Sequence, residues 1–247
     1  MLIKSGSRGP HVRSFQQFLR DTGIEVGSPD GVAGPRTVNG IKSFQLFSGL
    51  TDDGVAGEKT LSVARASGWD WGKPTPEQIE AAEALGVELA VVQAIESVES
   101  GGNPRAVRFE PHVFLRKRPG SEEQIPFTRG PSGFSVVASE TDLEAFRLAY
   151  SVDPEIAVER TSWGLFQVMG VHLVSLFGGD VELAVVTFDL EPERTSFRLL
   201  VRWFEKNPRA LMAAAAKDWS TLARRYNGPG QVARYSKLLE SAYAEFV

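Results

Sequence analysis

Residues 86–102 read GVELAVVQAIESVESGG, and this stretch predicts a helix that packs on a buried core. Its apolar residues recur at helical spacing and share one face: Val87, Val91, Val92, Ile95 and Val98. Two glycines follow and end the helix. At 3.6 residues per turn, Glu99 projects roughly 40° from Ile95. A carboxyl group is therefore predicted within the apolar face, in the last helical turn.

Glu99 is the candidate for a carboxyl group with an unusual pKa. Burial disfavours the charged form, and so does the negative end of the helix dipole, so we expect its pKa to be raised. A carboxyl group that stays protonated near neutral pH can act as a general acid. A glutamate that is buried for purely structural reasons is an equal alternative from periodicity alone. Glu96 is predicted at the margin of the apolar face, and Glu88 in the first turn, where helix capping explains its charge.

The composition narrows the classes of protein. The chain has 247 residues, enough for one large domain or for a small and a medium one. It has no cysteine, which excludes disulfides, thiolate zinc sites and cysteine nucleophiles. The three histidines are far apart in the sequence and form no H-E-x-x-H motif, so we expect no metal and no cofactor. The net charge of -4 argues against a nucleic-acid partner.

The first ten residues, MLIKSGSRGP, lack the apolar core of a signal peptide. No apolar run approaches the roughly 20 residues that span a bilayer. We therefore expect synthesis in the cytoplasm and no membrane insertion. A target outside the membrane would require another route of release.

An internal repeat marks the N-terminal part of the chain. Residues 30–37 (DGVAGPRT) recur as residues 53–60 (DGVAGEKT), and each copy predicts a glycine-rich turn followed by a helix. Apolar residues recur at helical spacing before and between the copies: Val12, Phe15, Leu19, Val38, Ile41, Phe44 and Phe47. The pattern predicts a compact bundle of three short helices.

This repeat resembles the peptidoglycan-binding domain 1 family. The family's V-x-x-F/L-Q, D-G-x-x-G-x-x-T and F-Q hallmarks appear as residues 12–16 (VRSFQ), the two repeat copies, and residues 43–45 (SFQ). The resemblance implies binding to bacterial peptidoglycan, with Asp30, Arg36 and Gln45 as candidate wall contacts. The alternative is that the repeat only builds the fold.

Residues 67–76 (SGWDWGKPTP) interrupt the helical rhythm with glycines, prolines and two tryptophans. We expect a wall-binding domain at 1–67, a linker at 68–76 and a second domain at 77–247. Thr75 and Gln78 predict a capping box at its start. Further helices are predicted at residues 140–150, 154–160, 181–188, 194–206, 207–226 and 232–246, with a long loop over the cleft at 117–140.

Four motifs follow one another in the second domain. They are residues 98–102 (VESGG), 109–114 (FEPHVF), 162–170 (SWGLFQVMG) and 226–230 (YNGPG). This ordered series resembles the N-acetylmuramidase family of phage and prophage endolysins, and it is also similar to the lysozyme-like fold of soluble lytic transglycosylases. The family's F-E-R-H has Pro111 in place of arginine here. The expected fold is mainly α: a small three-helix domain followed by a lysozyme-like, mostly helical catalytic domain.

The resemblance implies cleavage of the β-1,4 bond between N-acetylmuramic acid and N-acetylglucosamine. Glu99 would be the general acid, and Glu110 would activate water or stabilise charge as the second carboxylate. A structural ion pair between Glu110 and Arg105 or Arg108 is an equal alternative.

Five residues are candidates for substrate binding: Gln167, Tyr226, Asn227, Trp163 and Ser100. The amide of Gln167 would hold an N-acetyl group, or alternatively fix its own loop. The hydroxyl of Tyr226 would steady the acid or the sugar, or the ring would only pack and cap its helix. Trp163 would stack on a sugar ring or fill the core.

Two other functions remain open. A lytic transglycosylase needs one acid and base and uses the 6-hydroxyl of the substrate, which leaves an anhydro-sugar end. The second alternative function is that of a wall-binding protein whose second domain is inactive. An amidase or endopeptidase is disfavoured because zinc and cysteine machinery is absent from the sequence. The expected setting is phage-type lysis, in which a monomer reaches the wall through a membrane pore and has peptidoglycan as its partner.

Overall fold

The computed structural model describes the backbone of residues 1–120, 127–130, 133–136 and 142–247, and all side chains outside 121–142. This part of the chain is mainly helical with few strands, which confirms the predicted fold class. The helices are α1 (Pro10–Asp21), α2 (Pro35–Phe47), α3 (Glu58–Ala66), α4 (Pro76–Leu85), α5 (Leu89–Ser100), α6 (Pro111–Lys117), α7 (Asp142–Val152), α8 (Pro154–Glu159), α9 (Gly170–Leu176), α10 (Val181–Leu190), α11 (Pro192–Lys206), α12 (Pro208–Ala215), α13 (Trp219–Tyr226) and α14 (Val232–Tyr243). The strands are β1 (Val107–Phe109), β2 (Phe127–Gly130), β3 (Gly133–Val136), β4 (Thr161–Trp163) and β5 (Val168–Met169).

Local sequence signals define many of the helix ends. Proline is the first residue of α1, α2, α4, α6, α8, α11 and α12, where its fixed φ suits the first turn and its missing N–H costs nothing. The Thr75 hydroxyl accepts from the backbone N–H of Gln78, and the Gln78 side chain accepts from that of Thr75, which is the predicted capping box. Gly101 ends α5 with a left-handed φ of 62°.

The first core joins α1, α2 and α3, as the repeat predicts. Phe15, Leu19 and Ile41 are fully buried in it. Trp69 belongs to the same core: its ring lies 5.0 Å from that of Phe15, and its Nε1 donates to Ser14 Oγ at 3.1 Å. The segment predicted as a linker therefore begins as part of the first core.

A buried amide holds the turn in each copy of the repeat. In the first copy, Gln16 Oε1 accepts from the Gly31 N–H at 2.9 Å, and its Nε2 donates to Asp30 Oδ1 and Thr37 Oγ1 at 2.9 Å each. Asp30 Oδ1 also accepts from the Val32 N–H at 2.9 Å. The Oδ1 atom of Asp30 thus stabilises its own turn, whereas the sequence predicts a wall contact for this residue.

The second copy repeats this network with Gln45 in place of Gln16. Its Oε1 accepts from the Gly54 N–H at 2.9 Å, and its Nε2 donates to Asp53 Oδ1 at 2.8 Å and Thr60 Oγ1 at 3.1 Å. Gln45 is 2% exposed and these hydrogen bonds are internal, which favours the alternative that the repeat builds the fold. Arg36 is exposed at the start of α2.

The second core surrounds α5 and includes side chains from α4 and from the chain beyond α5. A small antiparallel sheet in the order β1-β4-β5 pairs Val107 with Trp163 and brings the chain after α5 next to the later motifs. The segment predicted as a loop at 117–140 contains the antiparallel pair β2–β3, while residues 121–126, 131–132 and 137–140 of it lie outside the described residues.

Two predictions within the second core are corrected. The helix expected at 207–226 is two helices, α12 and α13, because Lys217 between them has a φ of 56°. Glu88 does not cap α5 with its side chain; its carboxylate instead pairs with Lys217 Nζ and with the Tyr243 hydroxyl.

Among the described residues, no single helix is long and apolar enough to cross a membrane. One pair, Gly170–Leu176 with Val181–Leu190, passes the same test of length and composition, but its helices meet at 98°.

Candidate active site

Glu99 lies in the last turn of α5 and faces the end of α13. Asn227 follows directly after α13, and its Nδ2 donates to Glu99 Oε1 at 2.7 Å. Burial raises the pKa of Glu99 to about 7, against the opposing effects of the Asn227 hydrogen bond and the charge of Arg108. The direction and main cause agree with the sequence prediction. A substantial fraction of this carboxyl group is therefore protonated near neutral pH.

The amide oxygen of Asn227 is a second polar atom beside Glu99. This Oδ1 atom is buried, and no described residue donates a hydrogen bond to it. A buried acceptor without a donor costs free energy, and such an atom beside a reactive carboxyl group suits a ligand that brings its own N–H or O–H.

Tyr226 precedes Asn227 and fastens α13 to the loop between β4 and β5. Its hydroxyl donates to the Phe166 carbonyl at 2.6 Å, and its ring packs on Trp203 with centroids 4.5 Å apart. Burial, together with the nearby charge of Glu99, raises the pKa of Tyr226 well above its usual value. Tyr226 thus remains a neutral hydrogen-bond donor that supports the residue holding Glu99.

Glu110 lies between β1 and α6 and is 24% exposed. Its Oε1 is 3.2 Å from Arg108 Nε, and its Oε2 is 3.5 Å from His112 Nδ1. Arg108 is the ion-pair partner foreseen as one alternative, whereas Arg105 binds Asp189 Oδ1 at 2.6 Å. Because the charge of Arg108 also lowers the pKa of Glu99, Arg108 links the two carboxyl groups electrostatically.

The loop around Gly164 is tightly fixed. A Cβ on Gly164, whose φ is 71°, would lie 2.1 Å from Ser196 Oγ. Gln167 also has a positive φ, of 49°, and its Nε2 donates to the Gly164 carbonyl at 3.0 Å and the Ala106 carbonyl at 3.3 Å. The amide nitrogen of Gln167 therefore fixes its own loop, the alternative role foreseen for it.

Trp163 fills the core and is only 3% exposed. Its ring makes edge contacts with Phe146 and Phe188, and its Nε1 donates to the Val158 carbonyl at 3.1 Å. The enclosed ring favours the second alternative for Trp163, which is to fill the core. Ser100 ends α5, and its hydroxyl donates to the Glu96 carbonyl at 3.4 Å.

Glu96 is the most buried carboxyl group near the site, at 2% exposure, although the sequence placed it at the margin of the apolar face. Gln78 Nε2 donates to its Oε2 at 2.8 Å, and Arg13 Nη1 lies 3.5 Å from its Oε1. Burial raises the pKa of Glu96, and Arg13 and Gln78 oppose that rise. Periodicity missed this because α1, which covers Glu96, comes from the other end of the sequence.

The described side chains include no group of three or more His, Cys, Asp or Glu residues placed to hold a metal ion. The chemistry that the site can perform rests on the Glu99 carboxyl group, its Asn227 partner, and the Arg108–Glu110 pair.

Comparison with known proteins identifies the second domain. Residues 88–247 match the N-acetylmuramidase family. The chain belongs to the N-acetylmuramidase family. Residues 8–63 of this muramidase-family chain match a second family, described as a putative peptidoglycan binding domain.

A solved structure resembles the muramidase-family chain along almost its whole length. The endolysin of the Burkholderia AP3 phage is 29% identical, with a TM-score of 0.57, and the match covers 99% of this chain and 97% of that one. Two relatives from Bacillus licheniformis share a shorter segment. N-acetylmuramoyl-L-alanine amidase CwlL is 39% identical over 59 residues, and a probable N-acetylmuramoyl-L-alanine amidase is 36% identical over 72 residues. These matches cover 22% and 27% of this chain, and only 16% and 20% of the two amidases.

Proposed function

We propose that this chain is a peptidoglycan hydrolase that cleaves the β-1,4 bond between N-acetylmuramic acid and N-acetylglucosamine, with Glu99 as the general acid. The pKa of Glu99, raised to about 7 by burial, carries the proposal. A glycosidase must deliver a proton to the leaving oxygen, and a carboxyl group that is partly protonated at neutral pH can do so. Family membership supports the same bond as the target.

Glu110 is our candidate for the second carboxylate. It is partly exposed, it is paired with Arg108, and Arg108 acts on Glu99 as well. In hydrolysis it would activate water or stabilise the positive charge that develops on the sugar ring. Asn227 Oδ1 would accept a hydrogen bond from the substrate, and Ser100 and Gln167 are further candidates for substrate contact.

One observation favours a lytic transglycosylase as a second candidate. Glu110 Oε1 already pairs with Arg108 Nε at 3.2 Å, which would hold Glu110 as an ion-pair partner. Glu99 would then be the single carboxyl group that acts in the reaction, and its raised pKa would let it protonate the leaving oxygen. Attack by the 6-hydroxyl of the substrate would complete that reaction.

We further propose that residues 1–67 bind the wall, that 68–76 connect the domains and that 77–247 cleave it. Residues 8–63 match a putative peptidoglycan binding domain, which supports the first assignment. The likeness to a phage endolysin supports a phage-type lysis setting, with a monomer that reaches peptidoglycan after release through a membrane pore.

The test compares Glu99→Gln with Glu83→Gln, a variant of an exposed glutamate on α4, using purified peptidoglycan sacculi. We expect Glu99→Gln to abolish the release of soluble fragments and Glu83→Gln to match the wild type. Unchanged release by Glu99→Gln would refute the general-acid role. An inactive wild type that still sediments with sacculi would show a binding protein without activity.

Mass spectrometry of the fragments separates the two reactions. Reducing N-acetylmuramic acid ends identify a hydrolase, and 1,6-anhydro ends identify a transglycosylase. Glu110→Gln sharpens the result, since a hydrolase that uses Glu110 should lose most of its rate, whereas a transglycosylase should retain it.

A further inference from the structure

The N-terminal domain contacts the end of the helix that carries Glu99. Gly31, in the turn of the first repeat copy, lies so close to α5 that a Cβ there would be 2.6 Å from the Gly101 carbonyl oxygen. A Cβ on Gly102 would lie 3.0 Å from Pro10 Cα, at the start of α1. The backbone of residues 101–102, just after Glu99, is therefore packed directly against the first domain.

Arg13 adds a side-chain contact between the same two parts of the chain. Its Nη1 lies 3.5 Å from Glu96 Oε1, and its Nη2 lies 2.5 Å from Glu193 Oε2 at the start of α11. Glu96 is almost fully buried, and its other contact is Gln78. A buried carboxylate that loses its cation is strongly disfavoured, so this pair fixes the separation between α1 and α5.

Glu99 lies between these two contacts. Glu96 is three residues before it, close to one helical turn, and Gly101 is two residues after it. On the far side, Glu99 meets Asn227, which the Tyr226 hydroxyl and the aromatic packing of α13 hold in place. The 2.7 Å contact between Glu99 and Asn227 therefore depends on where the last turn of α5 is held.

We propose that Arg13 is a positioning residue: through Glu96, the N-terminal domain holds the last turn of α5 so that Glu99 meets Asn227. The N-terminal domain then contributes to turnover as well as to anchoring on the wall. This inference rests on the proposed role of Glu99. It also gives the buried Glu96 a role in catalysis without contact with the substrate.

Replacing Arg13 by methionine keeps the aliphatic stem and removes the cation. Glu96 is then left with Gln78, and it takes up a proton or draws water into the contact between the domains. A displacement of about 1 Å at a reacting group can cost roughly 100-fold in rate, so we expect a loss of about tenfold for this indirect effect.

The experiment uses full-length variants and a soluble, uncrosslinked glycan strand, for which anchoring on an insoluble wall is not required. We expect Arg13→Met to lower kcat about tenfold, with KM within about twofold and sedimentation with sacculi retained. Arg13→Lys should recover part of kcat, because it keeps the charge. Arg20→Met, at an exposed position of the same helix, should match the wild type.

An unchanged kcat for a folded Arg13→Met variant would overturn the inference, and so would a loss confined to binding of sacculi. If Arg13→Met does not fold, as judged by circular dichroism, the double variant Arg13→Met/Glu96→Gln removes the unpaired buried charge. Its kcat should still be low, and a wild-type value would overturn the inference. A wild-type protein that does not cleave the glycan strand would refute the proposed function instead.

Discussion

Asn227 Nδ2 donates a hydrogen bond of 2.7 Å to Glu99 Oε1 and so joins the ends of α13 and α5. The two residues are 128 positions apart in the sequence. This bond favours the charged form of Glu99, while burial favours the protonated form and outweighs it. The pKa of about 7 is the balance of burial against this hydrogen bond and the charge of Arg108.

Removal of the Asn227 amide should raise the pKa of Glu99 further, because the hydrogen bond lowers it. In Asn227→Ala, the fall of kcat/KM at alkaline pH should therefore move to higher pH. The maximal rate should drop by about tenfold, since the acid loses its support. The measurement is a pH–rate profile on a soluble glycan, with Asn39→Ala on the exposed face of α2 as the control. A shift of the alkaline fall of kcat/KM to lower pH would contradict the assignment of Glu99 as the general acid bonded to Asn227.

Glu99→Gln should change the free energy of unfolding in a pH-dependent way. The folded pKa is raised above the ordinary 4.5, so Glu99 destabilises the folded state progressively as pH rises from about 4.5 to 7. At about 1.4 kcal/mol per pKa unit, the rise from 4.5 to about 7 costs roughly 3.4 kcal/mol at pH 8. Urea unfolding gives the free energy of unfolding of both proteins at pH 4 and pH 8. The value for Glu99→Gln minus that for wild type should be larger at pH 8 than at pH 4. Glu83→Gln should show no such dependence, and an equal difference at both pH values would rule out the raised pKa.

Tyr226→Phe should destabilise the fold by about 1–2 kcal/mol, because the buried Phe166 carbonyl loses its donor. Tyr235→Phe is the matched control, since Tyr235 is only partly buried. Urea unfolding of both variants gives the comparison. Equal free energies of unfolding would show that the 2.6 Å bond contributes nothing.

Gln45→Leu should destabilise the N-terminal domain by about 2–3 kcal/mol. The substitution leaves the Gly54 N–H and the Thr60 hydroxyl without their buried partner. Gln17→Leu, which affects only an exposed contact with Asp21, should cost much less. Hydrogen exchange in α2 and α3 reports the effect directly. Loss of sacculus binding by a fully folded Gln45→Leu variant would instead support the prediction that Gln45 contacts the wall.

The helices and the repeat were predictable because their causes are local. Proline at the first turn, the capping box at Thr75 and the positive φ of Gly101 act over a few residues and can be read from the sequence. The raised pKa of Glu99 was predictable in direction for a related reason, since helical spacing alone places this carboxyl group beside apolar neighbours.

The partners of the buried polar groups were not predictable, because they come from distant segments. Gln45 and Trp163 have the residue types of ligand contacts, but their hydrogen bonds and packing are internal. The sequence predicts the pairing of Arg108 with Glu110 as one alternative, but it does not predict that the charge of Arg108 lowers the pKa of Glu99.

Periodicity and turn residues are enough to predict the mainly helical fold, the repeat and the position of Glu99 at the end of an apolar helix. The packing of distant helices, by contrast, sets which carboxyl group is buried more deeply. Glu96 is covered by Arg13 and Gln78 and is nearly inaccessible, while Glu99 remains partly open and bonded to Asn227. Burial depends on which helices pack together, and no pattern within α5 records that α1 packs against it.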